Sequence, residues 1–151
     1  MPSDKIENTV PLLSAFFTEI GIIEQLSRAA LERVLPDGMK QPHFGVLNHM
    51  VRLGLDESPA QLASAFQVTR PTMTNTIQKL EAKGYVVVKP DPRDGRAKIV
   101  QITDKGRAAR EAGLAALGPL MQPLYETLGK DLFEELTPKL SRVRTYMDEN
   151  R

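Results

Sequence analysis

Two short stretches of this 151-residue sequence carry most of the chemistry it can offer: Thr69 to Lys79, and Asp91-Pro92-Arg93-Asp94-Gly95-Arg96. Neither pairs a nucleophile with a base or gathers metal ligands. Both supply groups suited to base edges and phosphates. Arginine can fork onto guanine, and Asn or Gln onto adenine; threonine can bond a base edge and touch the thymine methyl. In the first stretch these groups are Arg70, Thr72, Thr74, Asn75, Gln78 and Lys79. Thr69, as a helix N-cap, would leave backbone N–H groups for a phosphate. In the second, Arg93 and Arg96 stand in a turn, where an arginine can enter a narrow minor groove and gain from its negative potential. Asp91 and Asp94 cannot hold phosphate. They would orient an arginine through a charge-assisted hydrogen bond. A polar helix face and an exposed ion-pair cluster are the plainer readings of the same residues, and their neighbours decide between the two.

Ser58-Pro59-Ala60-Gln61 has serine at N-cap, proline at N1 and glutamine at N3, a capping box. It predicts a short helix to about Phe66, with Leu62, Ala63 and Phe66 inward. After the turn at Gln67-Val68, Thr69 caps a longer helix striped by Met73, Ile77 and Leu80 and ended by Gly84. Two helices joined by a tight turn form a helix-turn-helix. The period then changes. Tyr85–Lys89 and Ala97–Thr103 are rich in β-branched residues and flank a cluster of turn formers, so a β-hairpin is expected. A hairpin directly after the second helix is a wing.

The outer segments are helical in pattern. Leu13, Phe16, Phe17, Ile20 and Ile23 stripe residues 10–35, and Pro36-Asp37-Gly38 ends that helix. A helix restarts at Gln41-Pro42, with Phe44, Leu47 and Val51 inward. Thr103 caps another helix, and Leu132, Phe133, Leu136, Leu140, Val143 and Met147 stripe the last one. Long apolar-striped helices at both ends of a short chain call for a partner surface, and two-fold dimers are the commonest solution. The expected fold is therefore mainly α with a small β-hairpin wing. Residues 1–35 form an N-terminal dimerisation helix, 36–106 the winged helix-turn-helix, and 107–151 the C-terminal dimerisation helices.

Hydrophobic residues at 41% and charged ones at 26% describe an ordinary globular chain. No cysteine is present, which excludes disulfides, thiolate metal sites and thiol redox sensing. The net charge is only +1, but residues 67–98 hold seven basic against three acidic side chains. A local basic zone fits a polyanionic partner. Residues 1–9 are polar and carry Asp4 and Glu7, unlike a secretory signal. No unbroken run approaches the ~20 apolar residues that cross a bilayer. A cytoplasmic protein without membrane contact is expected.

From Lys40 to about Gly106 the chain resembles the MarR (multiple antibiotic resistance regulator) family. The matching residues are Ser58–Ala63, Thr69–Thr74, Leu80–Val86 and the Asp91–Arg96 wing, followed by Val100, Ile102-Thr103 and Gly106. The resemblance implies a homodimer whose first and last helices intertwine, with two winged heads facing adjacent grooves of a pseudo-palindromic site. It places Thr72, Thr74, Asn75 and Gln78 on the recognition helix, and Arg96 as the minor-groove arginine with Asp94 orienting it. It also implies a repressor released by a small, often anionic or phenolic, effector bound between dimer core and winged head. The family often has an arginine early in the hairpin where this chain has Val88, so one frequent anion partner is missing.

His43 and His49 are six apart, roughly 120° around a helix, and cannot clamp one metal from adjacent positions. They read as surface or interface histidines, or His43 lines a ligand crevice. No cofactor or metal is expected. A winged module that binds protein would carry an acidic or apolar reading face, and an enzyme would need a catalytic constellation that is missing here. The sequence therefore predicts a sequence-specific, double-stranded-DNA-binding transcriptional regulator.

Overall fold

Eight regular elements and one short turn build the framework on which the two candidate stretches sit. The computed structural model describes residues 2–151, with side chains from Asn8 onward. Helix α1 spans Pro2–Val34 and leads through a single 3-10 turn at Pro36–Gly38 to α2, Gln41–Leu53. Helices α3 (Pro59–Ala65) and α4 (Arg70–Ala82) follow, then strands β1 (Val86–Pro90) and β2 (Lys98–Ile102). Helices α5 (Asp104–Leu128) and α6 (Lys130–Glu149) complete the chain. Contacts divide it into two compact units, residues 1–114 and 115–151.

Helix boundaries follow the expected chemistry. Ser58 Oγ accepts the Gln61 N–H at 3.1 Å, and Gln61 Oε1 accepts the Ser58 N–H at 2.9 Å, so two otherwise orphaned amides satisfy each other. Thr69 caps α4 by accepting the Thr72 N–H at 3.3 Å. Gly84, at φ 74°, supplies the left-handed residue that ends α4 and turns the chain into the wing. Strands β1 and β2 pair antiparallel from Val86 opposite Ile102 to Pro90 opposite Lys98. Glu57 adds a single bridge to Val100, which ties the loop before α3 to the wing. The strands are one residue shorter at their outer limits than the apolar run suggests, because Tyr85 and Thr103 leave the ladder for capping roles described below.

The core of the first unit gathers Met39, Val46, Leu47, Leu62, Met73, Ile77, Leu80, Tyr85, Val86 and Val100, all nearly fully buried. The inner face of α2 is Phe44, Val46, Leu47 and Met50. Val51, expected inward, is only half-buried. Thr76 joins the buried face of α4, its hydroxyl donating to the Thr72 carbonyl at 3.2 Å. That local bond satisfies a polar group on a face otherwise striped by apolar residues.

The outer helices are different. Leu13 is 47% exposed and Phe17 43%, with Phe16 and Ile20 half-buried. On α6, Leu132, Phe133, Leu136, Leu140 and Met147 are all exposed, Val143 is half-buried, and no residue of the helix is buried. The segment Asn8–Val34 is long and apolar enough to cross a bilayer, with a mean hydropathy of 1.2 over its most apolar window, none of it buried. The expectation concerned unbroken apolar runs, and this segment contains none of that length. Ser14, Thr18 and Glu19 interrupt every such run while leaving the average high.

Candidate nucleic-acid interface

The geometry of α4 follows from its sequence. Met73, Ile77 and Leu80 are inward and almost inaccessible. At ~100° per residue, the ridge directly opposite consists of positions 71, 75, 78 and 82. Asn75 and Gln78 therefore occupy the centre of the outward face, one turn apart, with Thr74 and Lys79 on its shoulders. Thr69, Arg70, Thr72, Thr74, Asn75, Gln78 and Lys79 are all exposed. The first turn offers less to a phosphate than its cap suggests. Pro71 has no amide proton and the Thr72 N–H is taken by Thr69, which leaves the Arg70 N–H among the three first-turn amides. The Thr72 hydroxyl is also engaged, accepting from Thr69 Oγ1 at 2.9 Å.

The wing tip projects Arg93, Asp94 and Arg96 into solvent. Asp91 Oδ1 accepts the Arg93 N–H at 2.9 Å, and Asp94 Oδ1 accepts the Arg96 N–H at 3.1 Å. Both are i, i+2 side-chain-to-backbone bonds of the Asx-turn type. Asp94 thus orients Arg96 through its main chain, where a bond to the guanidinium had been expected. The guanidinium that does meet a carboxylate is that of Arg93, whose Nε lies 3.7 Å from Asp91 Oδ1 with the arginine side chain 85% exposed. So open an ion pair contributes little energy and leaves the cation available. Lys89 and Lys98 add exposed charge on the strands. Sequence reasoning counted them only within the basic stretch, and the antiparallel register is what brings them to the wing.

Two crevices flank α4. One, of about 520 Å³, lies between α4 and the start of α2 and is lined by Lys40, His43, Phe66, Thr72, Asn75 and Lys79 among others. The second is walled by Pro59, Thr74, Gln78, Glu81, Val88 and Lys98. Val88 donates its N–H to Glu81 Oε2 at 3.1 Å, so a carboxylate lies against the backbone at the position where the resemblance implies an arginine.

His43 is 9% exposed, and its Nδ1 accepts the Lys40 N–H at 3.1 Å, capping α2 from its N3 position. Burial, then the nearby Lys79 and Lys83 charges, lower its pKa from the usual imidazole value. The folded protein therefore resists a proton that the unfolded chain accepts near pH 6.5. Stability is expected to fall as pH drops below that value and to be insensitive to His43 above it. Urea midpoints at pH 8 and pH 5.5 test this: His43→Gln should reduce the difference between them, and an unchanged difference would refute the assignment. His49 plays a separate part. Its Nε2 lies 2.6 Å from Glu57 Oε1, and its ring meets Phe66 edge-on at 5.2 Å. Among the described residues no cluster of three or more His, Cys, Asp or Glu could hold a metal ion.

The MarR family model matches residues 37–97, from the elbow after α1 to the wing. The structure is similar to a mutant of Escherichia coli MarR complexed with operator DNA, at TM-score 0.78 and 26% identity, covering 89% of this chain and 97% of that one. It is similar to the transcriptional regulator BldR from Sulfolobus solfataricus, at 0.74 and 27%, covering 89% and 98%. A MarR-family transcriptional regulator from a Rhodococcus species shares the fold at 0.76 with 18% identity, covering 87% and 95%. Residues 37–97 thus match the MarR family model, and the chain follows nearly the full length of these solved winged helix-turn-helix transcriptional regulators.

Proposed function

We propose that the protein is a sequence-specific DNA-binding repressor that acts in the cytoplasm as a homodimer on a pseudo-palindromic operator and yields to a small effector. The observation that carries this reading is the pairing of an outward Asn75–Gln78 ridge on α4 with a following hairpin whose tip bears Arg93 and Arg96, every one of them exposed. A major groove accepts one helix, and the adjacent minor groove accepts an arginine. Support comes from the similarity to Escherichia coli MarR, solved with its operator DNA. The basic and polar character of both readers argues against a protein-binding wing.

The exposed stripes of α1 and α6 support the dimer. A second copy covering Leu13, Phe17, Leu136 and Leu140 removes from water the surface that a monomer leaves open. It also accounts for the apolar average of α1 without a bilayer. The crevice beside His43 supports effector response. A ligand there would touch Thr72, Asn75 and Lys79, which belong to the reading helix itself, and Lys40 and Lys79 favour an anion.

The test is selection of binding sites from random duplexes with the purified protein. Paired half-sites with centres about one helical turn apart, ~34–36 Å, are the expected result; single unpaired half-sites would overturn the dimer reading. On the selected operator, Arg96→Ala should weaken binding by about 1–3 kcal/mol. An unchanged gel-shift affinity would remove Arg96 from the interface.

A further inference from the structure

Asp37 lies at the elbow between α1 and α2 with left-handed backbone, φ 55° and ψ 30°. A residue other than glycine adopts that conformation at a cost, so its surroundings must hold it there. Two long-range bonds do. Asp37 Oδ2 accepts the Tyr85 hydroxyl at 2.5 Å, and the Asp37 carbonyl accepts Lys83 Nζ at 2.7 Å. These donors come from 46 and 48 residues away in sequence, at the end of α4 and the entrance to the wing.

Tyr85 is the junction of the winged head. It is 2% exposed. Its N–H donates to the Leu80 carbonyl at 3.0 Å, and its carbonyl accepts the Thr103 N–H at 3.0 Å, joining α4 to the start of α5. Lys105 Nζ stands 5.6 Å from its ring centroid. Burial, reinforced by the Asp37 carboxylate, pushes the phenol up to about 12, so its donor proton stays in place at ordinary pH. One elbow residue thus ties the end of the long N-terminal helix to the base of both readers.

We infer that Asp37, through Tyr85 and Lys83, clamps the angle between α1 and the recognition helix, and so fixes the half-site separation that the homodimer accepts. The inference rests on the dimeric DNA-binding reading above. Asp37, Tyr85 and Lys83 are positioning residues; the bonds that engage Tyr85 and Lys83 point them toward the elbow. If the angle between the helices is held, a shift of one base pair turns one half-site by roughly 35° and moves it ~3.4 Å, so it must be resisted.

The test uses the full-length protein and its selected operator, with half-site separation changed by one base pair in either direction. Wild type should lose about tenfold or more in affinity on either change. Tyr85→Phe keeps the ring in the core and removes the hydroxyl; Lys83→Met removes the second bond independently. Each variant should lose less than about threefold on the same changes, while binding an isolated half-site as wild type does. A variant profile as sharp as wild type would overturn the clamp. So would an equal loss at every separation and on the single half-site, which signals a purely structural role. A wild type that selects no paired sites overturns the DNA-binding dimer itself, and the clamp with it.

Discussion

Raising the salt from 50 to 200 mM is expected to weaken operator binding by about a thousandfold. The reasoning is a count of cations. Arg70 at the helix start, Lys79 on its shoulder and Arg93 on the wing are exposed; in the proposed complex each protomer would set these three on phosphates and Arg96 in the minor groove. A two-fold dimer would then neutralise about six phosphates, and each released counterion contributes a slope near 0.9 in log affinity against log salt. The short acidic partners do not cancel this. Asp91 and Asp94 use their carboxylates on backbone amides, and the Asp91–Arg93 pair is open to solvent. Titrating salt in a fluorescence-anisotropy assay checks the slope. Removing Arg70 or Lys79 should lower it by about two, once per protomer, while sequence preference is retained. A flat response would point to a protein partner for the winged head.

What could be read in advance was whatever short-range chemistry determines. The capping box at Ser58–Gln61, the Thr69 cap, the Gly84 terminator and the turn-rich wing all rest on neighbours within a few residues. So the helix-turn-helix, the hairpin and the exposed positions on α4 were legible. Features that depend on distant pairs were not. Nothing near Asp37 in sequence announces a bond to Tyr85, and nothing near Glu57 announces its bridge to Val100. His43 looked like a surface or ligand-lining histidine. Its capping role needs the Lys40 amide in its particular geometry, and its burial needs α4 overhead. Asp94 was expected to meet an arginine through a charge-assisted bond, and it accepts the Arg96 main-chain N–H instead. A carboxylate two residues before an amide closes a local turn at lower entropic cost than reaching out to a mobile guanidinium. The apolar average of α1 was overlooked because scattered polar residues break the run without removing the surface.

Replacing Gly106 with alanine is expected to destabilise the protein by at least about 3 kcal/mol, at the upper end of what overpacking costs. A Cβ built at this position would lie 2.1 Å from the Tyr85 carbonyl oxygen and 2.8 Å from Ile102 Cγ1. The first neighbour is backbone and cannot rotate away. It is held by the Thr103 N–H, and Thr103 is itself engaged twice more: its hydroxyl donates to the Gly84 carbonyl at 2.6 Å and accepts the Gly106 N–H at 3.0 Å. Relief therefore requires α5 to lift off the base of the wing, breaking a cap that joins three elements. Gly113, by contrast, meets only side chains, the edge of the Phe44 ring at 2.6 Å and Leu35 Cδ2 at 3.2 Å, which shift more readily than a bonded backbone carbonyl, so Gly113→Ala should cost less. At fixed protomer concentration, Gly106→Ala should lower the melting temperature by roughly 10 °C, and Gly113→Ala by a fraction of that. Because Tyr85 anchors both readers, the Gly106 variant should also lose operator affinity at temperatures where it is still folded. Equal melting temperatures for Gly106→Ala and wild type would mean that α5 does not rest on the Tyr85 carbonyl, and that the wing is supported by other contacts.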